Sequence, residues 1–172
     1  ADPSTMHNFE HVRSHVSARH ALRINDPYLI CFDLLTEGGR RHQGIYLTEL
    51  EHEDGRKYLR VSTPIGPLTG MDAKRCLRFN WEQRVGFLAV SDLDGSPYLH
   101  LCENRPYELL SAAEIDHLIA EIGPLGDRLE QAISAGGGSF TAYFKKPHYG
   151  KLYNITCRVL PRARHFGRTL KD

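Results

Sequence analysis

The chain has 172 residues, 41% of them apolar and 25% charged, with a net charge of +1. That is the size of one domain able to bury its own core without metals or disulfides. No apolar run approaches the roughly 20 residues of a membrane-spanning helix, and the polar, His-rich start shows no signal peptide.

Five residues, Ala1 to Thr5, precede the first methionine, so Met6 is expected to be the natural start; a processed terminus is the alternative. Met6 to His20 reads as a helix, with Phe9, Val12 and Val16 on one face, and Asn25-Asp26-Pro27 breaks it. Tyr28–Leu35 is a dense apolar run that fits a buried strand. Glu37-Gly38-Gly39 turns the chain into His42–Leu50, with Ile45 and Leu47 inward. Glu53-Asp54-Gly55 turns it again into Lys57–Thr63. Pro64 and Pro67 end this meander.

Thr69–Trp81 is expected to be helical, capped near Thr69 or Asp72, with Ala73, Cys76, Leu77 and Trp81 on its apolar face. Val85–Val90 and Tyr98–Cys102 are strands joined by Asp92-Leu93-Asp94-Gly95. Ser111 caps the next helix with Glu114 three residues on. Gly123-Pro124 is expected to interrupt that helix, and a second segment runs to Ile133. After Gly136-Gly137-Gly138, Phe140–Phe144 and Leu152–Leu160 read as a hairpin, followed by a basic tail. The expectation is an α+β fold in the order α-βββ-α-ββ-α over residues 6–135, with a C-terminal β-hairpin extension over 136–172.

Charge is unevenly spread. Residues 81–133 carry 3 Lys+Arg against 10 Asp+Glu, and residues 134–172 carry 8 against 1. Such opposed blocks point to self-complementary packing or to two different partner surfaces.

Few residues suggest chemistry. Cys31, Cys76, Cys102 and Cys157 form no CxxC pair and read as buried thiols of a reducing cytoplasm. His7, His11 and His15 share a helical face, yet neither a cysteine nor an arranged carboxylate joins them, so no metal is expected. Asp92-x-Asp94 lacks a glycine at the sixth position of a calcium loop and reads as a hairpin turn. Nucleophile-elbow, HExxH, Walker A and GxGxxG patterns are absent. Neither catalysis nor a cofactor is expected.

The stretch Arg75-Cys-Leu-Arg-Phe-Asn-Trp81, then Gly86 to Gly95, Tyr98 to Cys102 and Leu110 to Ile133, resembles the type III secretion chaperone-like superfamily, which includes the YbjN-type proteins of bacteria. The resemblance covers about residues 6–133. It implies a cytoplasmic homodimer that binds another polypeptide, a secreted effector or a membrane-associated protein, along apolar grooves. Capture of an extended segment by main-chain pairing plus apolar pockets is the expected mode. Phe9, Val12 and Val16 are the candidates for the exposed part of the groove, extended by Ile45 and Leu47. Ordinary core packing is their alternative role. A second reading uses the extension as a nucleic-acid surface, with Lys145, Lys146, Lys151, Arg158 and Arg162 among aromatic residues that could stack on bases.

Overall fold

The computed structural model describes residues 5–69 and 71–135. Helix α1 (Phe9–Ser17) leads into strands β1 (Leu22–Asp26), β2 (Leu29–Thr36), β3 (Arg41–Glu51) and β4 (Lys57–Pro67). Helix α2 (Ala73–Glu82), strands β5 (Phe87–Leu93) and β6 (Ser96–Pro106), and helix α3 (Ala112–Ala135) follow. The fold is α+β, and its six strands form one antiparallel sheet in the order β1-β2-β3-β4-β6-β5. The expected extension, with its strands at 140–144 and 152–160, lies outside the described residues. The described residues divide into two compact units, one of 5–63 with 102–124, the other of 64–101 with 125–135.

In the first unit, α1 is shorter than its apolar spacing predicts. Asn8 caps its start, where the side chain accepts from the His11 N–H at 2.9 Å, and the helix stops at Ser17. Residues 18–20, expected to finish it, lie past its end, and Leu22–Asp26 beyond them form β1, an element the sequence reading missed. β1 pairs antiparallel with β2 from Leu22↔Phe32 to Asp26↔Leu29. Pro27 therefore sits in a two-residue hairpin loop, where its missing N–H removes no ladder bond.

β2 and β3 pair from Leu29↔Thr48 to Thr36↔Arg41. Alternation then puts Ile30 and Phe32 of β2, Ile45 and Leu47 of β3, and Leu59 and Val61 of β4 in the core. Phe9, Val12 and Val16 of α1 are buried, as are Ile115, Leu118 and Ile122 of α3. Each such side chain contributes about 1.5–3 kcal/mol on leaving water. β4 does not stop at Pro64. Its register with β3 runs from Glu51↔Lys57 to Tyr46↔Ser62, so the proline lies past the β3 ladder and costs it no hydrogen bond.

Gln43 and Thr63 are polar side chains within this core. Gln43 donates through Nε2 to Thr63 Oγ1 at 2.7 Å, and Thr63 donates its hydroxyl to the Gly44 carbonyl at 2.7 Å. Both residues are buried. Thr63→Val keeps the shape and removes the acceptor of the Gln43 amide. It should cost about 1–3 kcal/mol in urea unfolding, more than Thr→Val at the half-buried, outward-facing Thr48.

His20 stacks on Phe32 with ring centroids 4.0 Å apart. Burial lowers its pKa below the ordinary 6.5, against an opposing pull from Asp116. The unfolded chain therefore binds this proton at a higher pH than the folded chain does. Stability from this group is full above pH 6.5 and falls as the pH drops through that value. His20→Phe should flatten the slope, measured as melting temperature between pH 7.5 and 5.5.

In the second unit, Asp72 caps α2 by accepting from the Lys74 and Arg75 N–H groups. Asp94 (φ 51°) and Gly95 (φ 80°) form the turn between β5 and β6, with the positive φ pair that matches hairpin twist. Ser111 accepts from the Glu114 N–H at 3.1 Å, as the capping pattern predicts. The expected interruption at Gly123-Pro124 does not occur, and α3 runs unbroken across it. An interior proline costs about 3 kcal/mol, which burial of Ile122, Leu125 and Leu129 on the same helix offsets.

Candidate partner-binding surface

None of the five residues expected to line a groove is available to a partner. Phe9, Val12, Val16, Ile45 and Leu47 are all buried. The apolar periodicity that singled them out is the signature of a core face, and α1 and β3 each spend that face inward. Lys145, Lys146, Lys151, Arg158 and Arg162 lie outside the described residues.

The surface with unspent apolar area is on α2. The sequence reading grouped Ala73, Cys76, Leu77 and Trp81 on one buried face. In the structure, Ala73, Cys76 and Phe79 are buried, while Leu77 is 58% and Trp81 87% exposed. The start at Ala73 sets the buried stripe at i, i+3, i+6 and turns Leu77 and Trp81 outward, one turn apart. An indole at this exposure forgoes much of the burial such a side chain normally gains. In the first unit the exposed large apolar residues are Tyr28, Leu35 and Leu109.

The last turn of α2 is tied to β5 by one amide. Asn80 Oδ1 accepts from the Leu88 N–H at 2.7 Å, and Asn80 Nδ2 donates to the Leu88 carbonyl at 3.1 Å. A side chain thus takes the place of a neighbouring strand at this residue. β5 is an outer strand of the sheet. In an antiparallel strand the N–H and C=O of one residue point the same way, and the next residue with that direction is two along. The groups of Val90 and Asp92 therefore face the same side as those of Leu88, beyond the reach of the Asn80 clamp. Asp92 and Asp94 at this end are in no ion pair among the described residues. The Asn80–Leu88 clamp has a sequence signal in the Asn that ends the helix before the hairpin, but its bidentate role needs the fold.

The candidate reactive groups are quiet. Cys31, Cys76 and Cys102 are buried thiols outside any disulfide. Burial raises the Cys102 thiol to about 11, with Arg60 pulling the other way, and burial likewise raises Cys31. Both stay protonated, and so poorly nucleophilic, at neutral pH. His7 and His11 meet edge to face at 5.8 Å. His15 is drawn away to Asp116, with Nε2 2.7 Å from the carboxylate and Nδ1 3.0 Å from Arg19 Nη1. Among the described residues no three His, Cys, Asp or Glu converge as a metal site requires, and no helix is long and apolar enough to cross a membrane.

No protein-family model matches the chain, and no curated protein does. Solved structures similar to it include two with low identity. The HopA1–SchA chaperone–effector complex gives a TM-score of 0.48 at 14% identity, over 70% of this chain and 89% of that one. YbjN of E. coli gives 0.48 at 8% identity, over 77% of this chain and 97% of that one. Both likenesses are of fold, at low identity.

Asn80→Ala removes both partners of the Leu88 main chain. It should cost about 1–3 kcal/mol and speed amide exchange at Leu88 well before that of the Leu99 amide in β6, read by NMR hydrogen exchange.

Proposed function

We propose that residues 6–135 form a non-catalytic, chaperone-like protein-binding module that captures an extended segment of a partner polypeptide, with residues 136–172 as an extension. The observation that supports this is the end of β5 past the Asn80 clamp. An outer strand with unclaimed main-chain groups is a template for strand addition, and proteins that do not use such an edge blunt it. Here Asn80 blunts one position, and the next two meet no partner among the described residues. The side chain of Val90 supplies an apolar neighbour for an incoming strand, and Asp92 and Asp94 favour a basic residue at its end. The protonated, buried thiols support a binding role over nucleophilic catalysis, and they suit a reducing, cytoplasmic setting. Homodimerisation, implied by the resemblance, is part of the proposal.

The Val90 N–H offers a clean test. Because it points away from β6, Val90→Pro deletes a donor to the partner and spares the β5–β6 ladder. With the full chain as bait, the wild type should retain a stoichiometric polypeptide, and Val90→Pro should weaken that capture at least tenfold with an unchanged melting temperature. Equal capture by both proteins would reject the edge as the site. Retention of nucleic acid alone, lost when Lys145, Lys146 and Lys151 are changed to Glu, would reject the module in favour of the extension. Light scattering on the bait checks the dimer.

A further inference from the structure

The exposed face of α2 carries charge as well as apolar surface. Lys74, Leu77, Arg78 and Trp81 fall at i, i+3, i+4 and i+7, so they form one stripe along the helix. All four are exposed. Lys74 and Arg78 have no ion-pair partner among the described residues, and neither does the exposed Arg84 just past the helix end. Arg75, on another face, is the one cation of α2 that is paired, with Asp72 at 3.3 Å.

This concentration runs against the other described residues, since residues 5–135 carry 14 Lys+Arg against 19 Asp+Glu, although Glu82 stands one turn past Arg78 at the end of the stripe. An apolar centre with a charged rim is the anatomy of a protein docking patch, with Trp as the usual anchor. We propose that this stripe docks a short acidic, aliphatic stretch of the partner polypeptide, with Leu77 and Trp81 covered by aliphatic side chains and Lys74 and Arg78 met by carboxylates. The proposal rests on the protein-binding reading and adds the chemistry of the partner to it. A long polyanion is the weaker fit. Nucleic acid carries a charge every few ångströms along its length. It would extend past a stripe of about 10 Å, two turns of helix, onto described residues that carry an acidic excess. A short acidic segment confines its charge to the stripe, within one Debye length at physiological salt.

Trp81 is the only tryptophan of the chain, so intrinsic fluorescence reports on this stripe alone. The full-length protein is titrated with a synthetic peptide of alternating Glu and Leu, with the same peptide carrying Lys for Glu, and with a single-stranded oligothymidine. The expected result is a shift of Trp81 emission to shorter wavelength with the Glu/Leu peptide only. That affinity should weaken about tenfold in the double variant Lys74→Glu, Arg78→Glu, as two exposed charge pairs are reversed, and weaken again with added salt. Equal binding of the Lys/Leu peptide, or no effect of the double variant at an unchanged melting temperature, overturns the proposal. So does tighter binding of oligothymidine, which assigns the stripe to nucleic acid. A shift on concentrating the protein without peptide also overturns it, because a second copy then covers the stripe. The Val90→Pro capture experiment reads the β5 edge independently, so an acidic-docking failure beside an intact edge effect leaves the protein-binding module standing.

Discussion

Helix α3 lies against the sheet at a point where a side chain has no room. A Cβ at Gly123 would stand 2.3 Å from Leu34 Cδ2 and 3.4 Å from Ile45 Cδ1. That absent methyl lets the helix backbone lie close to the side chains of Leu34 in β2 and Ile45 in β3, which face it. With Ile45 and Leu47 facing the helix side, the alternation of β2, β3 and β4 leaves no second choice, since a one-residue slip would put every apolar side chain in water. The same commitment spends the apolar face of α1, so that its Phe9, Val12 and Val16 serve stability.

Once those faces are spent, what remains for recognition lies elsewhere. α2 buries a narrow stripe of small or flat residues, Ala73, Cys76 and Phe79, and its two bulkiest remaining apolar side chains face out. A helix that only completed a core would have little reason to carry an indole there. The clamp from Asn80 to Leu88 holds this helix to β5, and it meets the same strand whose later main-chain groups have no partner among the described residues. A side-chain cap and an open edge are thus consecutive on one strand, and the residues that form them belong to one compact unit. Polar anchoring in the first unit is of another kind. The Gln43–Thr63–Gly44 chain is wholly internal, and Arg56–Glu108 and Arg60–Asn104 tie strand residues near the surface.

Much of this was legible in the residues because it is local. A dense apolar run marked β2, alternate apolar residues marked β3, Asp-Gly marked the turns before β4 and β6, and Ser111 with Glu114 marked the start of α3. Each depends on spacing or on a backbone angle that few residues accept. β1 was not legible. Leu22 and Ile24 are too few to show a period, and the strand exists because β2 supplies its hydrogen bonds. Pro64 and Pro124 read as stops, yet both elements continue, since a missing N–H matters only where the fold has a partner waiting for it.

The sequence by itself determined the fold class, the order of most elements and the absence of any recognisable catalytic pattern, because periodicity, caps and turns act over a few residues. The tertiary structure alone decided which apolar residues are core and which are surface. Periodicity says that Val12, Ile45 and Trp81 each belong to an apolar face, but not what lies opposite it. Burial is a property of the neighbour, and the neighbours of Leu77, Trp81 and Val90 are set by chain segments far away in sequence.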